Sequence, residues 1–108
     1  MPSEDRRIIF DYEEVYKAIY ALCAQKQLKK PPAGALSNVY EEDNGVSIIL
    51  YLINPQDKDN PNVEVEYARD FLAAALMLFC KGLGIPLPKS AKKSVLIREG
   101  TVMLRVQI

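Results

Sequence analysis

The chain has 108 residues, of which 49% are hydrophobic and 26% charged, the balance of an ordinary globular domain rather than a disordered chain. Fourteen Lys and Arg offset fourteen Asp and Glu, so no global field attracts nucleic acid or an anionic membrane. The longest apolar run, residues 71–80, is about half of what a bilayer crossing needs. We expect one domain over residues 1–108, located in the cytoplasm because the N-terminus lacks the apolar core of a signal peptide.

The first elements are a short strand and a helix. Residues 6–10 predict a strand or an extended lead-in, and Asp11 with Glu14 three residues later forms a capping-box pattern. A helix is predicted over 12–25, because apolar residues recur there at helical spacing along one stripe. That stripe consists of Tyr12, Val15, Tyr16, Ile19, Leu22 and Cys23.

A hairpin is predicted to follow the first helix. Asn44 and Gly45 form a dipeptide that is typical of a tight hairpin turn, so we expect strands over 35–42 and 46–53. The second of these strands is almost wholly apolar, which suits a central position in a sheet. The polar, proline-containing residues 54–62 then predict a linker loop.

The second helix contains the apolar run. It is predicted to begin at residue 63 or 64 and to end at Lys81, with Gly82 as its left-handed C-terminal residue. A last hairpin is predicted over 93–98 and 101–107, turning at a glutamate and a glycine.

Elements recur in the same order in the two parts of the chain, 11–53 and 63–108. Helix, proline-containing connector, strand, glycine turn and strand follow one another in each part, with counterparts about 55 to 57 residues apart. We therefore predict an α+β fold in two layers, with an α-β-β-α-β-β pseudo-repeat. Its four-stranded, mainly antiparallel sheet would carry both helices on one face, and residues 6–10 could add a fifth strand.

The second helix is apolar around most of its circumference. One face can pack on the sheet and another on the first helix, so a third face needs cover from a partner. This pattern predicts self-association, most simply as a homodimer. The interface candidates are Phe71, Leu72, Ala73, Leu76, Met77 and Phe79.

Two alternatives to a helix-mediated dimer stay open. The first helix, the connector after the second helix and the N-terminal segment could cover the apolar run within one chain. The sheet could also carry apolar side chains on its far face, because Val39, Ile49 and Tyr51 cannot all point toward the helices.

Catalytic chemistry is not indicated. Histidine is absent, and the two cysteines, Cys23 and Cys80, lie on different helices without an activating base. Adjacent carboxylates occur only where a helix start or a turn edge explains them. We therefore expect no enzymatic activity, no bound metal and no cofactor.

Lysines cluster after each helix. The residues are Lys26, Lys29 and Lys30 after the first helix, and Lys81, Lys89, Lys92 and Lys93 after the second. If the two connectors lie at the same end of the sheet, these side chains form one positive patch suited to phosphates. A nucleic-acid-binding module is therefore the alternative to protein association.

Overall fold

The computed structural model describes residues 3–108, which form an α+β fold of six strands and two α-helices. In chain order these are β1 (Asp5–Phe10), α1 (Tyr12–Gln25), β2 (Ala35–Glu42), β3 (Ser47–Ile53), β4 (Asn62–Ala68), α2 (Arg69–Gly82), β5 (Lys92–Arg98) and β6 (Thr101–Gln107). Within these residues, neither helix is both long and apolar enough to cross a membrane.

The strands form two antiparallel sheets of three strands each. In the first sheet β6 lies between β1 and β5, and in the second β3 lies between β2 and β4. The predicted single sheet of four or five strands is therefore wrong. Strands β2 and β5 are neighbours where the sheets meet, without a hydrogen-bonded ladder between them.

Strand β4 is the element that the sequence-based prediction missed. The segment expected to begin the second helix pairs along its whole length with β3, from Ser47 opposite Ala68 to Ile53 opposite Asn62. Its sequence, NVEVEYA, alternates apolar and acidic residues, which is the strand period. The predicted α-β-β-α-β-β order therefore lacks a strand, and α2 begins only at Arg69.

Strong local signals were read correctly elsewhere. Helix α1 has the predicted bounds, and its capping box is complete, with Asp11 and Glu14 each accepting from the other's backbone N–H. The two predicted hairpins are present as β2–β3 and β5–β6. At the end of α2, however, the left-handed residue is Gly84 with φ of 75°, not Gly82.

The two helices run antiparallel to each other. Near one end, the ring of Phe10 before α1 packs edge-on against Phe79 of α2, with centroids 6.2 Å apart. Near the other end, Tyr67 just before α2 contacts Cys23 close to the end of α1. The C-terminus of each helix therefore lies beside the N-terminus of the other.

Both helices pack on the same side of the two sheets and share one continuous core. Inward-facing residues of both sheets enter it, including Ile48 of β3 and Leu104 of β6. The extents of 57 × 27 × 20 Å describe a slab whose short dimension matches one helix layer on one sheet layer, at roughly 10 Å each.

Arg69 bridges the two sheets. Its Nε donates to the Gly45 carbonyl at 2.6 Å, its Nη1 donates to the Val95 carbonyl of β5, and its Nη2 lies 2.8 Å from the Glu41 carboxylate of β2. The guanidinium thus donates hydrogen bonds to backbone carbonyls at the junction of the two sheets, where no pairing between strands supplies a donor.

Candidate functional site

A groove lies between α2 and the connector to β5, on the helix side of the slab. We call it the lysine groove. It has a volume of about 530 Å³. Its lining residues are Met77, Lys81, Gly84, Ile85, Pro86, Leu87, Lys89 and Lys93.

The lysine groove combines an apolar floor with positive walls. Lys81 ends α2, Lys89 belongs to the connector, and Lys93 projects from the inward face of β5, beside Val106 in the neighbouring strand. No acidic side chain lines the groove, and within residues 3–108 none of these three lysines forms a salt bridge. The site therefore has unneutralised positive charge over an apolar surface.

The connector wall of the groove is held in place by backbone contacts. After α2, the Ile85 N–H donates to the Cys80 carbonyl at 2.9 Å, which is the Schellman geometry that a left-handed Gly84 permits. Further along, Arg6 of β1 donates from Nη2 to the Pro86 carbonyl at 2.6 Å. These two contacts within the chain fix the position of the connector wall.

The seven candidate lysines do not come together. Because the helices are antiparallel, Lys26, Lys29 and Lys30 lie beyond the end of α1 at the N-terminal end of α2, away from the lysine groove. Lys92 precedes Lys93 in β5 and faces the opposite side of the sheet. The condition for a single positive patch, that both connectors lie at the same end of the sheet, is therefore not met.

The interface candidates on α2 separate by burial. Leu72 and Leu76 are completely buried in the chain's own core, so a partner cannot reach them in this fold. Phe71 stacks on Tyr67, and Phe79 packs against an aromatic ring of β1, so both are half-buried. The two remaining interface candidates, Ala73 and Met77, are half-buried, and Met77 also lines the lysine groove.

The face of the first sheet that points away from the helices is positively charged, and we call it the basic sheet face. Strand alternation places on it an apolar row of Ile9, Met103 and Leu96, one residue from each strand. Ile9 is 66% exposed. The charged residues around this row are Arg7, Lys92, Arg98, Arg105 and Asp5, of which Arg105 and Asp5 form a salt bridge.

The corresponding face of the second sheet is negatively charged, and we call it the acidic sheet face. Ile49, Tyr51 and Ile53 of the central strand lie on it, whereas Val39 points into the core. Its charged residues are Glu42, Glu64 and Glu66, with no cation among the residues that strand alternation places there.

A hydrogen bond crosses the acidic sheet face. Tyr40 of β2 donates its hydroxyl to the Glu64 carboxylate of β4 at 2.8 Å, and so spans the central strand. The hydrogen bond to Glu64 raises the pKa of Tyr40 to about 12. Tyr40 therefore stays neutral over the physiological range.

The carboxylates that sequence reasoning noted as pairs have separate structural partners. Glu13 forms a salt bridge with Lys17, and Glu14 belongs to the capping box of α1. Glu41 pairs with Arg69 on the inward side, so it does not act with Glu42. None of these arrangements places two carboxylates around a common pocket.

Neither cysteine is placed for reaction. Cys23 and Cys80 are both buried and free, and burial raises the pKa of the Cys80 thiol, which disfavours the nucleophilic thiolate. Among residues 3–108, no three carboxylate or thiol side chains come close enough to hold a metal ion together.

Comparison with known proteins does not assign the chain to a family. No family model matches it, and no curated protein or solved structure is significantly similar to it. Function must therefore be argued from the surfaces themselves.

Sequence reasoning overlooked the basic sheet face. The sequence signal is weak: β1 holds adjacent arginines and adjacent isoleucines, and β6 places Arg105 between apolar residues. The apolar row became visible only when pairing placed Ile9, Met103 and Leu96 side by side.

Proposed function

We propose that this chain acts without catalysis, by protein association, and that it forms a homodimer through its two outer sheet faces. The observation that carries the proposal is charge segregation. A neutral chain presents four cations and one carboxylate on one uncovered sheet face and three carboxylates on the other, each around apolar side chains. Opposite potentials around apolar centres are the arrangement that specific interfaces use.

A single two-fold axis can bring both faces of one copy into contact with the faces of opposite charge on a second copy. The basic and acidic sheet faces lie side by side on the same side of the slab, opposite the helices. A second copy rotated about an axis parallel to the strands, at the junction of the sheets, brings its acidic face onto the basic face of the first copy. The reciprocal contact forms by symmetry, which gives an isologous dimer of four layers, α-β-β-α.

We infer that the two faces have similar shapes, because each half of the chain follows the order β-α-β-β. Tyr12 and Arg69, the first residues of the two helices, lie 57 positions apart. Tyr12 donates to the Gly100 carbonyl in the turn of the last hairpin, as Arg69 does to the Gly45 carbonyl in the turn of the first. These reciprocal contacts support the proposal of an approximate two-fold axis within the chain.

The two faces together approach the area that a stable dimer needs. A standard interface buries about 800 Å² on each partner, and six strands of six to eight residues cover roughly 24 by 29 Å, which is about 700 Å². The apolar row with Ile9 at its edge would supply the desolvated centre, and the charged residues would form the rim.

The alternative of nucleic-acid binding has weaker support. The lysines expected to contact phosphates are divided between opposite ends of the helix pair, so they do not form a continuous phosphate track. We therefore propose protein association as the function.

A charge exchange tests the dimer directly. Sedimentation of the wild-type chain at low and moderate salt should give the mass of two chains. The variant Arg7→Glu/Arg98→Glu makes both faces acidic, and Glu42→Lys/Glu66→Lys makes both faces basic, so each variant alone should sediment as a folded monomer.

Mixing the two variants provides the decisive outcome. Each face of one variant then meets a face of opposite charge on the other, so the equimolar mixture should recover the dimer mass. The variant Lys29→Glu/Lys30→Glu makes an equal charge change away from both faces and should remain dimeric. A monomeric wild type, or a mixture that stays monomeric, would overturn the proposal.

A further inference from the structure

We propose that the lysine groove binds an acidic segment of a partner protein, one that carries one or two large apolar side chains. The groove lies on the helix side of the slab, whereas the proposed dimer uses the outer sheet faces. This binding site is therefore separate from the dimer, and either proposal can fail without the other.

The charge of the groove selects an acidic partner. Lys81, Lys89 and Lys93 surround it without a neutralising carboxylate, and Arg6 adds a further positive charge behind the connector, where it holds the Pro86 carbonyl. Like charges gathered around one cavity repel each other, and an acidic ligand relieves that repulsion.

The floor of the groove requires an apolar component in the ligand. Met77, Ile85 and Leu87 form the floor, and the volume of about 530 Å³ lies within the range of roughly 300–1,000 Å³ that is typical of ligand sites. Methionine is flexible enough to adapt to different apolar side chains. A ligand of charged groups alone would leave this floor exposed to water.

The groove is prepared for binding before a ligand arrives. Its connector wall is held by the Ile85 N–H bond to Cys80 and by the Arg6 contact with Pro86. A prolyl residue has a fixed φ, which further restricts this segment. Because little order must be created on binding, more of the contact energy appears as affinity.

The pockets beside α1 differ from the lysine groove in charge. Tyr16, whose hydroxyl donates to the Pro32 carbonyl at 2.9 Å, lines two of them, and Glu13 lines the same two. Three lysines without a carboxylate therefore distinguish the lysine groove from these pockets.

An acidic peptide fits the groove better than nucleic acid does. The lining contains no arginine and no aromatic residue, which are the side chains that read or stack on bases. A phosphate backbone would use the lysines but would leave the floor of Met77, Ile85 and Leu87 without a contact.

Selection from a display library of random 12-residue peptides tests the proposal. Wild-type protein should enrich peptides that combine Asp or Glu with Leu, Ile, Phe or Met. The most enriched peptide is then synthesised with a fluorophore and titrated by anisotropy, in competition with a 12-nucleotide single-stranded DNA.

Three variants locate the binding site. Lys81→Glu/Lys89→Glu should weaken binding of the enriched peptide at least tenfold, and Met77→Ala should weaken it several-fold. The matched control Lys29→Glu/Lys30→Glu should bind within about twofold of wild type, and thermal unfolding checks that every variant is folded.

Several results would overturn the proposal. They are a selection without acidic and apolar enrichment, an equal loss in the control variant, and DNA that displaces the peptide at lower concentration than unlabelled peptide does. If the peptide binds at the lysine groove and the wild-type chain is monomeric, the groove proposal holds and the dimer proposal fails.

Discussion

At the scale of single residues, Arg69 is the side chain on which the junction of the sheets depends. It donates to the carbonyls of Gly45 and Val95 and pairs with Glu41. We expect Arg69→Met to lower the free energy of unfolding by about 1–3 kcal/mol, because two backbone acceptors lose their donor. Urea unfolding measures this change.

An exposed lysine provides the comparison for Arg69. Lys29 lies beyond the end of α1, away from both outer sheet faces, so Lys29→Met should change the free energy of unfolding by about 0.5 kcal/mol or less. Equal effects of the two substitutions would show that the junction contacts of Arg69 do not stabilise the fold.

Tyr67 predicts how stability depends on alkaline pH. Burial, followed by contact with Cys23, raises its pKa to about 12 from an ordinary value of about 10. The folded state therefore retains a proton that the unfolded state releases, so the contribution is complete below about pH 10 and is lost as the pH rises toward 12.

The variant Tyr67→Phe isolates this effect and keeps the ring stacked on Phe71. Between pH 10 and 12 its urea midpoint should fall less steeply than that of the wild type, whereas from pH 7 to 9 the two should run parallel. Parallel curves over the whole range would contradict the assignment to Tyr67.

At the scale of elements, α2 divides into a core side and a surface side within neighbouring residues. Leu76 is completely buried, whereas Met77 is half-buried at the lysine groove. We expect Leu76→Ala to cost about 2–5 kcal/mol, because truncation leaves a cavity. Met77→Ala should cost less than Leu76→Ala, since the Met77 side chain is only partly buried.

Substitutions just after the two helices should change the stability of the protein in opposite directions. Each helix is followed by a left-handed residue, Gln27 with φ of 56° after α1 and Gly84 with φ of 75° after α2. Gln27→Gly should stabilise the protein by about 0.5–1 kcal/mol, because glycine adopts this conformation without a Cβ clash. Gly84→Ala should destabilise it by a similar amount, and thermal unfolding of both variants measures the difference.

At the scale of the whole molecule, the uncovered side of the slab determines how stability depends on concentration. If a second copy covers the outer sheet faces, mass action requires the melting temperature to rise as protein concentration increases. Over a hundredfold range of concentration we expect a clear rise for the wild type and none for Arg7→Glu/Arg98→Glu. A concentration-independent wild type would contradict the dimer.

The sequence alone determined the elements that rest on local signals. The capping box at Asp11 and Glu14 predicted the start of α1, and the glycines of the two turns predicted both hairpins with nearly their observed bounds. These signals succeed because a cap or a tight turn is satisfied within a few residues. The assignment of β4 as helix failed because its acidic residues were given more weight than its alternation.

Only the tertiary structure decided which elements meet. β1 pairs with β6 from the other end of the chain, whereas β4 pairs with β3 across the loop that joins them. The division of the strands into two sheets therefore depends on the long-range pairing of β1 with β6. The antiparallel helices separate the two lysine clusters, and the packing of α2 takes Leu72 and Leu76 into the core. A helix that is apolar on nearly every side does not indicate which side will be buried. That choice depends on the surfaces that long-range pairing brings against it.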